Sequence, residues 1–176
     1  MEPNQLPEHV REWVAADRRQ DLTLMQAQLS DDVVLISPLT DAFTFTGPDE
    51  VMAVFEAAFE LLADIEIANV TGAGTDWVIH GTNTIGGDNL EEIQWLQLGT
   101  DGRIALITLF IRPAPAAITL LSRIGPGLRA RGLMGAAAAT ASGAAKPLAA
   151  ALRLTEGRVM PRLRKDPPVD RLINGQ

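Results

Sequence analysis

The chain contains no cysteine and no tyrosine. The first absence excludes disulfides, thiolate nucleophiles and cysteine-ligated metal. The second removes the phenol as an acid or as an oxyanion donor. Histidine occurs only as His9 and His80, without the paired spacing of a metal site, so neither metal nor cofactor is expected. No stretch reaches the roughly 20 apolar residues that span a bilayer. The start MEPNQLPEHV has neither the basic residues nor the apolar run of a secretory signal, which predicts a cytoplasmic protein. Neither Ser122 nor Ser142 sits in a nucleophile elbow, and a glycine-rich phosphate loop is missing.

What is present suits one domain with an appendage: 176 residues, 47% hydrophobic and 21% charged, enough for a buried core. Charge is divided unevenly. Residues 1–111 carry 4 basic and 19 acidic side chains, a net of −15, and residues 112–176 carry 11 basic and 3 acidic, a net of +8. The acidic part repels a phosphate backbone, so nucleic acid is not an expected partner.

With Pro7 suited to a first helical turn, Leu6, Val10, Trp13, Val14 and Asp17 stand at helical spacing, and only the last is polar. Asp21 is a good N-cap for a second short helix carrying Leu22, Met25 and Leu29. Strand VVLIS follows, then FTFT. Gly47-Pro48-Asp49-Glu50 opens a third helix, with Val51, Phe55, Ala58, Phe59 and Leu62 on its apolar stripe. Beyond it the period drops to two through IEIANV, WVIHGTNTI, LEEIQWLQL and RIALITLFI, separated by TGAGTD, GGDN and TDG turns. The order predicts an α+β domain over residues 1–113, a curved antiparallel sheet wrapped as a cone around three N-terminal helices. Residues 114–176 read as an Ala-rich, Gly-containing basic extension, partly helical or disordered and without a packed core. Its basic run Arg158 to Lys165, interleaved with apolar residues, makes a membrane surface or an acidic partner a possible target.

A two-residue turn at Gly87-Asp88 would set Gln94 opposite Gly81 and Glu92 opposite Asn83. A turn at Asp101-Gly102 would set Leu109 opposite Gln94 and Ile107 opposite Leu96. Both hairpins then give one face with Ile79, Gly81, Asn83, Glu92, Gln94, Leu96, Ile107 and Leu109. The other carries His80, Ile93, Trp95, Thr108 and Phe110. The first face, aliphatic along its last strand, is expected under the helices, with the gap over Gly81 leaving an apolar cup around Gln94. A filled core with Gln94 satisfying a backbone group is the competing reading. Ile93, Trp95 and Phe110 are too apolar for a wet face, so a homodimer contact or cover by the tail is expected there.

The helix-helix-strand order, the stretch DLTLMQAQLSDDVVLISP, the Gly47-Pro48 helix start and the final TDGRIALITLFI resemble the nuclear-transport-factor-2-like superfamily, which includes ketosteroid isomerase and the SnoaL-like polyketide cyclases. The resemblance covers residues 6–113 and implies a conical fold, an apolar pocket and a homodimer. Fold alone leaves activity open. Where ketosteroid isomerase places an Asp base, a Tyr donor and a second Asp donor, this chain matches Ser37, Trp13 and Gln94. None of the three titrates usefully near neutral pH, so that chemistry is not expected. Ser37 either caps the turn before Pro38 or joins Trp13 and Gln94 as a neutral trio on the ligand. The remaining acid–base candidates are Glu92, the inward carboxylate, and Asp41. The expected ligand-binding set is Trp13, Ser37, Ile79, Gln94, Ile107 and Leu109. The expectation is a protein that binds a hydrophobic small molecule, with an isomerase, cyclase or dehydratase on an apolar polyketide- or steroid-like substrate as the alternative.

Overall fold

The computed structural model describes residues 6–163. Helix α1 (Glu8–Asp17) and the short α2 (Leu22–Gln26) lead into strand β1 (Leu29–Ile36), a two-residue β2 (Phe45–Thr46) and helix α3 (Gly47–Phe59). Four long strands follow: β3 (Leu62–Ala73), β4 (Asp76–Ile85), β5 (Asp88–Leu98) and β6 (Ile104–Arg112). Local signals account for the helix starts. Asp21 accepts from the Leu24 amide at 3.1 Å, the N-cap bond that its side chain favours. The Glu50 carboxylate accepts from the Thr46 amide at 2.8 Å, and Pro48 sits in the first turn where its missing N–H is not required.

The six strands form one sheet in the order β2-β1-β6-β5-β4-β3. Every pair is antiparallel except β1 with β6, which is parallel. The β4–β5 hairpin turns at Gly86-Gly87, so Ile79 pairs with Gln94, Gly81 with Glu92 and Asn83 with Leu90. The expected turn one residue later is thereby corrected. Gly86 (φ 57) and Gly87 (φ 87) both adopt positive φ, and two glycines supply that without strain, whereas Gly-Asp would not. Moving the turn by one residue slides the partners by two and leaves every side chain on its face. Between β5 and β6 the expected register holds, with Gln94 against Leu109 and Leu96 against Ile107, and slips only beyond Gln97.

Under the concave face lies one core that includes Val10, Trp13, Phe55, Ile79, Leu96 and Ile107. On the convex face Trp95 is 38% and Phe110 51% exposed, so among the described residues the tail does not cover them.

The tail needs a second correction. Helix α4 (Ala114–Ala130) places Ala116, Leu120, Ile124 and Leu128 in the same core, so the packed unit continues past Pro113. Those four residues recur every four positions, a helical stripe that burial against α3 and the sheet stabilises. Pro113 caps the helix and Pro115 lies in its first turn, where proline is favoured rather than disruptive. Helices α5 (Ala136–Gly143), α6 (Lys146–Arg158) and α7 (Met160–Leu163) follow. Helix α5 lies so close to α4 that a Cβ on Gly125 would strike Ser142 Oγ and the Ala139 backbone. Of the basic run, Arg164 and Lys165 lie outside the described residues. Among those described, no helix is long and apolar enough to cross a membrane.

Candidate functional site

Asp17 is the last residue of α1, and it lies on the buried face one turn after Trp13. Trp13, fully buried, is fixed by edge-on packing against Phe55, ring centres 5.4 Å apart. Its indole Nε1–H donates to Gln94 Oε1 at 2.8 Å. An indole can only donate, so this bond sets the orientation of the amide. Gln94 Nε2 therefore faces the other way, where it donates to Asp17 Oδ2 at 2.9 Å and to Glu92 Oε1 at 2.9 Å. Asn83 Nδ2 donates to Glu92 Oε2 at 3.2 Å. One buried amide thus joins two carboxyl groups from different elements.

Both carboxyls border a cavity of about 60 Å³ walled by Leu35, Phe55, Leu90, Leu109, Ile111 and Leu120, among others. Helices α3 and α4 close it opposite the sheet. Burial pushes the Asp17 carboxyl up to about 7, the charge of Glu92 adds to the rise, and Gln94 and Arg18 oppose it. The C-terminal end of a helix is also a poor place for a negative charge. Burial likewise pushes Glu92 up, against hydrogen bonds from Gln94 and Asn83. Glu92 is half-buried and lines this cavity. Donor count separates the two groups. Glu92 receives an N–H on each oxygen, which favours its ionised form. Asp17 receives one, and among the described residues its Oδ1 has no hydrogen-bond partner. The proton of the pair therefore belongs on Asp17 near neutral pH.

The expected residues divide between cavity and core. Glu92 and Leu109 line the cavity, as does Ser37, whose hydroxyl accepts from the Leu39 amide at 3.1 Å and so caps the turn before it. Gln94 points under the helices but is 1% exposed and serves as the clasp of the pair. Trp13 completes that clasp rather than facing a ligand, so the neutral trio does not assemble. Ile79 and Ile107 are core residues away from the cavity wall. Asp41 is exposed and is not among the residues that line the cavity. The gap expected over Gly81 is occupied by Glu92, whose Cγ would lie 3.5 Å from a Cβ at that position. Asp17 was missed. Its signal was the one acid on the apolar stripe of α1, placed where the helix dipole disfavours it. Among the described residues no acidic or histidine cluster could hold a metal.

Residues 10–107 match the SnoaL-like domain family. Among solved structures, a steroid delta-isomerase from Pseudomonas aeruginosa superposes with a TM-score of 0.64 at 22% identity, over 69% of this chain and 90% of that one. An uncharacterised cystatin-like-fold protein from Silicibacter pomeroyi superposes with a TM-score of 0.64 at 21% identity, over 74% and 89%. An NTF2-like protein of unknown function from Burkholderia pseudomallei gives a TM-score of 0.51 at 23% identity, over 66% and 95%. At these identities the likeness concerns the fold. No curated protein matches the chain.

Proposed function

We propose, from the premise that this chain belongs to the SnoaL-like domain family of the nuclear-transport-factor-2-like superfamily, that it moves a proton within an apolar small molecule bearing a carbonyl group. The observation that carries this reading is the buried Asp17–Gln94–Glu92 array on an apolar cavity. Two carboxyls whose surroundings hold one ionised and the other protonated are an acid–base pair. Glu92 takes a proton from the carbon next to the carbonyl. Protonated Asp17 hydrogen-bonds the carbonyl oxygen as charge gathers there, and the proton on Glu92 returns to the same or another carbon. No net proton is consumed, which suits isomerase-type chemistry. It differs from the ketosteroid isomerase arrangement, since Ser37 stands at the base position of that family.

The test follows deuterium from solvent D2O into the positions next to the carbonyl of 2-decanone, by mass spectrometry. The native protein is expected to accelerate exchange and Glu92→Gln to reduce it about a hundredfold, the low end of the effect of removing a general base. Exchange no faster than in buffer, or unaffected by Glu92→Gln, removes the reading. Binding without turnover is the second reading. Both N–H donors of Gln94 are already engaged and its oxygen already accepts from Trp13, which favours it, since little of that amide is left to engage a ligand. Ketone binding with no exchange would select it.

We further propose that a second copy of the chain covers Ile93, Trp95 and Phe110, two of which are large exposed aromatics. Sedimentation velocity is expected to give twice the chain mass for the native protein, and a single-chain mass for the double variant Trp95→Glu, Phe110→Glu. A single-chain mass for the native protein would remove this interface.

A further inference from the structure

The inner cavity, about 60 Å³, accommodates about two water-sized groups, room for a carbonyl and little else. Specific sites for small molecules occupy roughly 300–1,000 Å³. A second space of about 320 Å³ adjoins it, and Ser37, Leu39, Val54 and Ile124 line both. Its inner wall is Leu121 and Leu128 of α4 with Phe45. Its outer wall is α5, through Ala138, Ala141 and Ala145, and Phe43 stands at the rim. The polar groups on this lining are hydroxyls only, from Ser37, Thr40 and Ser142.

We infer that this outer groove holds the apolar tail of the molecule whose carbonyl reaches the carboxyl pair, so that the C-terminal helices make the protein selective for an elongated, unbranched or lightly branched chain with a carbonyl at one end. The inference rests on the acid–base reading for where the polar end sits, and on the groove for the path of the apolar end. Ser37 and Ile124 line both spaces, and the proposed passage lies at these residues, so that a chain anchored at Asp17 and Glu92 emerges between α4 and α5. The wall is built rather than incidental. Helix α5 is held at van der Waals distance from α4 because Gly125 has no side chain, and Ala139 buries its methyl in the helix contact. Where α5 borders the groove, alanine at 138 and 141 keeps it open, since a longer side chain there would fill it. The α4 and α5 walls lie beyond the 10–107 span shared with the family, so the tail completes the groove on that side.

The experiment displaces the neutral fluorophore N-phenyl-1-naphthylamine from the full chain with a series of 2-alkanones, from 2-pentanone to 2-tridecanone. Native protein is expected to bind each longer ketone about fourfold more tightly per added methylene, as full burial of each group requires, until the groove is filled near 2-undecanone. Ala141 is exposed, so Ala141→Phe leaves the core intact. It is expected to weaken 2-undecanone at least tenfold and leave 2-pentanone unchanged. An affinity that stops rising at 2-hexanone in the native protein overturns the inference, as does an Ala141→Phe profile identical to the native one. Because the readout is binding, a native profile that climbs as described in a protein without deuterium exchange supports the groove while the acid–base reading fails. Exchange with a flat profile does the reverse.

Discussion

Asp17→Asn is expected to make the protein more stable than the native chain at pH 8, by about 2–4 kcal/mol. In the folded chain the Asp17 carboxyl titrates at about 7, against an ordinary 3.8. Between those values the folded protein retains a proton that the unfolded chain has released. Stability contributed by this group is therefore complete below about pH 4, falls as pH rises through the window, and stays low above 7. The rise of about three pH units corresponds to about 4 kcal/mol at most, and the neighbouring Glu92 charge accounts for part of it. Asparagine keeps the shape and still offers an oxygen to Gln94 Nε2, but it has no charge to desolvate. Urea unfolding of both proteins from pH 4 to pH 8 measures the difference. The two curves should meet near pH 4 and separate above it, with the asparagine variant on top. A native chain that outlasts the variant at pH 8, or a gap that does not change with pH, would show that Asp17 is ionised and well solvated in the fold.

That expectation depends on a residue the sequence displayed but did not explain. The alternation of β4, β5 and β6 was legible because face depends only on odd or even position, so a turn misplaced by one residue slid the partners by two and left Glu92 and Gln94 inward. Positive φ at both turn positions favours Gly86-Gly87 over Gly87-Asp88 and settled the register. Helix α4 was hidden by composition. Pro113, Pro115, Gly125, Pro126 and Gly127 read as breakers, although Pro113 and Pro115 start the helix, Gly125 is where α5 approaches, and Pro126 faces outward. The stripe Ala116, Leu120, Ile124, Leu128 was the stronger signal. At the site, Trp13 and Gln94 were recognised as inward polar groups, but their reach for each other across 81 positions depends on how α1 lies over the sheet. Asp17 broke two local rules at once, an acid on an apolar stripe and an acid at a helix C-terminus. Such conflicts are what a functional site leaves in a sequence.

The clasp itself makes the other large prediction. Gln94→Leu conserves volume and apolar packing, yet it is expected to destabilise the protein by about 3–5 kcal/mol at pH 7. The Trp13 indole N–H, buried with one partner, would be left with none, a cost of about 1–3 kcal/mol. Glu92 would lose one of its two donors, and Asp17 its only one. Breaking a buried charged contact from one side costs more than a neutral one, because the remaining charge stays desolvated. The part of the loss that arises from charge should fade in acid. At pH 4.5 Asp17 is protonated in the fold, and Glu92, which burial also pushes up, carries less charge than at pH 7, so the groups left unpaired are closer to neutral. The destabilisation should then shrink to about 1–3 kcal/mol, the range for such groups. Urea unfolding at the two pH values separates this from simple packing, which would give the same loss at both. A loss below about 1 kcal/mol at pH 7 would mean that water replaces the amide without difficulty, and that the carboxyl pair lies in a wetter hollow than its apolar walls imply.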